Sequence, residues 1–101
     1  MIGRGSTPTI AYRLKDIDPA TFTAVYLTIV QNGSVVLERD ITTMSISSNV
    51  ISWELTQEET LKFDETVKSD IQIRAKDMYN RAYVSYHSLE NILGINKDGV
   101  I

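Results

Sequence analysis

The sequence predicts an all-β sandwich of about seven short strands, with one short helical turn between strands five and six. Apolar and polar residues alternate with a period of two over most of the chain. Turn-forming residues interrupt that alternation at intervals of roughly eight to twelve residues. One stretch, LTQEETLKF at residues 55–63, abandons the period and carries a helix-start signature. Short alternating strands between frequent turns describe an immunoglobulin-like sandwich in architecture. The cysteine pair of antibody domains is missing, since the chain has no cysteine.

Length sets the domain count. A chain of 101 residues is long enough for one core without metal or disulfide support, and short for two. Residues 1–7 (MIGRGST) are small and polar and read as a flexible N-terminal arm. Residues 8–95 read as a single β-sandwich domain, and 96–101 as a C-terminal tail.

The first strand spans Thr9 to Leu14, with Ile10, Tyr12 and Leu14 on one side, and is expected at a sheet edge. Lys15 to Pro19 is a connection, because Asp favours local turns and Pro19 has no amide donor. Strands two and three, Ala24–Val30 and Val35–Ile41, flank Gln31-Asn32-Gly33-Ser34. A two-residue turn at Asn32-Gly33 sets Leu27 opposite Glu38. A three-residue loop with Gly33 in the left-handed region pairs Ile29 with Val35 and Leu27 with Leu37 instead, and this register is preferred. It turns Val25, Leu27, Ile29, Val35, Leu37 and Ile41 inward, and leaves Tyr26, Thr28, Val30, Val36 and Glu38 outside.

Strands four and five, Met44–Ser47 and Val50–Leu55, meet about Ser48-Asn49, setting Ile46 against Ile51 and Met44 against Trp53, a core residue. Thr56 and Glu59 have capping-box spacing, and Leu61 and Phe63 close one end of the core. Strand six, from about Lys68 to Lys76, turns Ile71, Ile73 and Ala75 inward. Strand seven, Ala82 to about Leu89, has two apolar sets, Ala82/Val84/Tyr86 and Tyr83/His87/Leu89, that compete for the inside.

Ten basic and thirteen acidic residues give a net charge of -3 with the signs interspersed, which argues against nucleic acid as a partner. The N-terminal stretch has no apolar signal region and no run approaches a membrane span, so a soluble chain, not exported by the usual signal and without membrane contact, is expected. His87 is the single histidine. It lies near Ser85, Ser88 and Glu90, but nucleophile-elbow and oxyanion-hole signals are missing, so no catalytic residue is assigned. Acidic pairs at Asp16/Asp18, Glu58/Glu59 and Asp64/Glu65 lack EF-hand spacing and suit turns and caps better than calcium. No metal site and no cofactor are expected. The outward residues Tyr26, Thr28, Val30, Val36 and Glu38 form the candidate interface, because exposed valines and a tyrosine on one sheet face make an apolar patch suited to a protein partner or self-association.

Several motifs together resemble a family. TPTI near the start, QNG followed by VVLE, LTQEETLKF, IQIR and KDGVI at the end are similar to a group of small Firmicutes phage and prophage proteins. The turn KDMYNRAY departs from that pattern in having no glycine between the last two strands. The resemblance implies a virion-associated or prophage-encoded β-sandwich of poorly defined function, synthesised in the bacterial host cytoplasm, and transfers no catalytic residues. The function expected from these readings is a non-enzymatic structural or assembly module working through protein contacts. The alternative is a small binding module for a cell-surface carbohydrate or host protein.

Overall fold

β-Branched and aromatic residues in alternation make strands wherever one face can be buried, and this chain offers such runs from end to end. The computed structural model describes residues 1–101. In chain order the strands are β1 (Ile2–Gly3), β2 (Thr9–Arg13), β3 (Phe22–Gln31), β4 (Ser34–Asp40), β5 (Ser45–Ser47), β6 (Val50–Glu54), β7 (Ser69–Asp77), β8 (Ala82–Val84), β9 (Ser88–Glu90) and β10 (Ile92–Leu93), with helix α1 at Gln57–Thr60 between β6 and β7. β2–β8 are the seven expected strands. One sheet has the order β2-β6-β5 and the other β4-β3-β7-β8, with β9 also on β7. β1 pairs in parallel with β10.

The core lies where the two sheets meet. Val25, Leu27 and Ile29 of β3, Ile71, Ile73 and Ala75 of β7, and Leu37 of β4 form one buried cluster with Ile51, Trp53 and Leu55. All were expected inside except for Leu55's exact place at the strand end. Trp53 is 1% exposed, and its indole N–H donates to the Asp40 carbonyl at 2.9 Å, so burial leaves no donor unpaired. At α1 the capping box forms as the spacing implied: the Thr56 hydroxyl accepts from the Glu59 amide, and the Glu59 carboxylate from the Thr56 amide. Phe63 is buried behind it.

The β3–β4 hairpin corrects the expected register. Gln31 pairs with Ser34 and Val30 with Val35, so the connection is the two-residue turn, with Asn32 and Gly33 both at positive φ (51° and 75°). Such a turn, with positive φ at both central residues, matches the right-handed twist of the flanking strands. The mismatch it creates is absorbed by a bulge: the register shifts between Ile29 and Val30, and Ile29 pairs with Leu37. Val36 is the extra residue. It is half-buried and packs against the core, while Val35, expected inside, is 57% exposed. Leu27 lies opposite Arg39, not Leu37.

The N-terminal arm is the second correction. Ile2 is 3% exposed and pairs with Ile92. The Arg4 amide donates to the Leu93 carbonyl, and the Thr60 hydroxyl donates to the Ser6 carbonyl at 2.8 Å. An isoleucine with a prepared apolar seat is worth ordering, and that outweighs the entropy of the small residues around it. The sandwich therefore includes residues that the sequence alone assigned to an arm. The tail is tied down as well: the Ile101 amide donates to the Gln57 side chain, and Asp98 lies 3.3 Å from Arg4.

The seventh strand is broken in two. Tyr83 pairs with Ala75 and turns inward, and Ser88 pairs with Ile71. Between them the Ser85 hydroxyl takes the Ile73 amide at 2.9 Å, a side chain standing in for a ladder partner. Ala82, Val84 and Leu89 are exposed.

Candidate interaction surface

The outward face of the larger sheet holds the candidate interface, and its rows are mixed. Tyr26 lies between Asp40 and Arg74, and Thr28 between Glu38 and Gln72. Val30 lies between Val35 and Asp70. Tyr26 is 49% exposed and Glu38 is exposed, but Thr28 and Val30 are half-buried. The Thr28 hydroxyl donates to the Gln72 carbonyl at 3.4 Å. With Val36 turned toward the core, no contiguous apolar patch spans this face; it is a solvated sheet surface in which charges separate the apolar side chains.

Two clefts open at the seam between the sheets, along β2. A cleft of about 290 Å³ lies beside Ile2, Ile10, Tyr12, Ile71, Ser88 and Glu90. A second, of about 270 Å³, lies beside Tyr12, Leu14, Ile17, Ile73 and Tyr83. Tyr12 borders both. Burial pushes its phenol above the ordinary value, with the nearby Ser85 hydroxyl acting the other way.

The backbone of β2 explains why the seam stays open. The Leu14 amide donates to Asn49, and the Pro8 carbonyl accepts from Leu55. In an antiparallel ladder the groups of alternate residues point to the same neighbour, so the even-numbered residues of β2 bond β6. The amides and carbonyls of Thr9, Ala11 and Arg13 point away from it, and no strand pairs with that side. This feature was visible in the sequence only as an edge-strand assignment. Which edge is free depended on where β1 pairs.

His87 meets an acid, though not the one expected. Its Nδ1 is 2.8 Å from Asp70 and Nε2 is near the Gln72 amide. Glu90 pairs instead with the Met1 amine. Ser85 is bonded to Ile73 and to the Tyr86 carbonyl, so no serine hydroxyl joins the His87–Asp70 pair. Tyr83 packs on Phe22 and donates to Asp77 at 3.0 Å. Tyr86 and Tyr79 are exposed, Tyr79 lying under the Arg81 guanidinium at 5.1 Å.

Asp77 is a buried carboxylate that sequence reasoning did not single out. One oxygen accepts from the Tyr79 and Arg81 amides at 2.9 Å. The other accepts from Arg81 Nε and the Tyr83 hydroxyl. Burial raises its pKa, but the four donors outweigh that and hold it below the ordinary carboxylate value. All its acceptor positions serve the β7–β8 turn, so its role is to build that turn.

No helix is long and apolar enough to cross a membrane. No protein-family model and no curated protein matches the chain. Among solved structures it is similar to the Ig-like domain of mouse leukocyte-associated immunoglobulin-like receptor 1, crystallised as a strand-swapped dimer. The match has a TM-score of 0.52 at 14% identity and covers 94% of this chain and 85% of that one. In that fold the order β2-β6-β5 corresponds to strands B, E and D, and β4-β3-β7-β8 to C′, C, F and G. The chain is an immunoglobulin-like β-sandwich.

Proposed function

We propose that this chain is a non-enzymatic phage or prophage structural or assembly module that acts through protein–protein contacts. The observation that carries the reading is the unpaired backbone of β2 beside an apolar seam. A free edge next to uncovered apolar side chains is what strand-addition recognition uses: main-chain bonds supply affinity and the apolar positions supply register. The motifs shared with Firmicutes phage and prophage proteins support the biological setting. The matched mouse domain, a strand-swapped dimer, is one instance of this fold associating through its strands.

Production in the host cytoplasm followed by incorporation into the particle belongs to the same proposal. The test is mass spectrometry of density-purified particles induced from the bacterium that carries the gene, after cross-linking. Recovery of the chain at stoichiometric abundance, cross-linked to a particle protein or to itself, is the expected result. Its absence from particles, or turnover in a broad hydrolase panel by the purified chain, overturns the reading.

A further inference from the structure

We infer that two copies of this chain pair edge to edge through β2, antiparallel about a twofold axis at Ala11. The inference rests on the protein-contact reading above and names the partner as a second copy. The immunoglobulin fold normally places strand A beside strand B. Here the N-terminal strand β1 pairs with β10, and the outer side of β2 has no neighbour.

Comparison of the edges singles out β2. β4 is long but bulged at Val36, and a bulge twists an edge away from regular pairing. β5 and β8 have three residues each. β2 has five residues, TIAYR, with no bulge in its pairing to β6, no proline and no inward charge. None of the usual protections of a free edge is built into it except Arg13 at its end.

The register about Ala11 is self-complementary. The outward-pointing backbone groups belong to Thr9, Ala11 and Arg13, and an antiparallel twofold needs such groups at matched positions on both copies. With Ala11 facing Ala11 of the second copy, Thr9 faces Arg13 of the second copy. All of these amides and carbonyls then find partners. The smallest side chain lies on the axis, where two copies of one residue meet. On the inner side Ile10, which borders the first cleft, falls beside Tyr12 of the second copy, which borders both, so these half-buried residues cover one another.

Charge follows the same register. Thr9 pairs with Glu54 of β6 on the outward face, and Glu54 is exposed. Arg13 of the second copy therefore lies two strands from Glu54, roughly 10 Å at the backbone, a span that extended Arg and Glu side chains close together. The twofold makes this contact twice. Arg13 never meets its own copy, so no like charges face each other across the axis. A five-residue strand pair is small against the roughly 1,200–2,000 Å² of stable interfaces, so the dimer is weak in dilute solution and populated where copies are concentrated, as in an assembly.

Sedimentation equilibrium of the full chain, from about 10 μM to 1 mM, reads the proposal directly. The expected result is a reversible monomer–dimer equilibrium that Ala11→Pro abolishes. That substitution removes an amide aimed away from β6 and so deletes no intramolecular bond; far-UV circular dichroism and thermal unfolding check that the variant is folded. Arg13→Glu and Glu54→Arg each weaken association about tenfold, and the double variant restores it. This charge exchange decides the matter if Ala11→Pro does not fold. A wild-type chain that stays monomeric to 1 mM, a dimer that Ala11→Pro leaves intact, or a double variant no better than the singles overturns the pairing. A monomer still cross-linked to another protein in particles removes this inference and leaves the proposed function standing, whereas a β2 dimer absent from particles does the reverse.

Discussion

Single side chains in this protein hold backbone that has no ladder to pair with. Gln31, buried at the end of β3, donates to the Asp64 and Val67 carbonyls and accepts from the Asp64 amide, which fastens the segment after α1 to the sheet. Asp77 does the same for the β7–β8 turn with four donors. That turn has no glycine, and Asn80 takes the left-handed conformation in its place (φ 66°), as asparagine does more readily than most residues. Because the folded Asp77 carboxyl titrates below its ordinary value, its contribution is complete above the unfolded value of about 3.9. It is lost as pH falls through the lower folded value. Asp77→Asn is therefore expected to be less stable than wild type at neutral pH and to lose stability less steeply below about pH 4. Urea titrations across pH 2–7 measure both, and parallel acid limbs for the two proteins count against the assignment.

The elements show which local signals survive folding. The capping box was legible because both of its partners lie within four residues of sequence, Thr56 to Glu59. The β3–β4 register was not. Asn32-Gly33 is a strong two-residue turn signal, yet it sets Leu27 against Glu38 unless a bulge intervenes, and a bulge has no local sequence mark. What places it is the demand that Ile29 and Leu37 share the core with β6 and β7. In the two-residue turn Asn32 takes φ 51°; in the three-residue loop it has ordinary negative φ. Asn32→Ala is expected to cost roughly 1 kcal/mol through this backbone strain. A urea midpoint unchanged by the substitution favours the loop over the turn.

At the scale of the whole molecule, the ends decide the shape of the surface. Because β1 runs beside β10 and not beside β2, the outer edge of β2 stays free. Ile2→Ala should then cost about 2–5 kcal/mol, the value for emptying a core site, where truncation in a flexible arm changes almost nothing. Chemical denaturation distinguishes the two, and a shift under 0.5 kcal/mol contradicts the packed position. The candidate face on the larger sheet was partly legible: Tyr26 and Glu38 point outward as their parity required. Val36 does not, because the bulge reverses parity beyond it. The open seam was unreadable, since its borders come from segments far apart in the chain.

The alternation, the turn residues and the helix cap determined on their own that this chain is a β-sandwich, and which residues of β3, β6 and β7 form its interior. Those signals are local, and burying one face of a strand forces the period of two. Only the tertiary structure decided the register beyond Val36, the break in the seventh strand, the docking of Ile2 and the free edge of β2. Each of these is a choice among partners with similar local preferences, and it is settled by which arrangement fills the space between the two sheets.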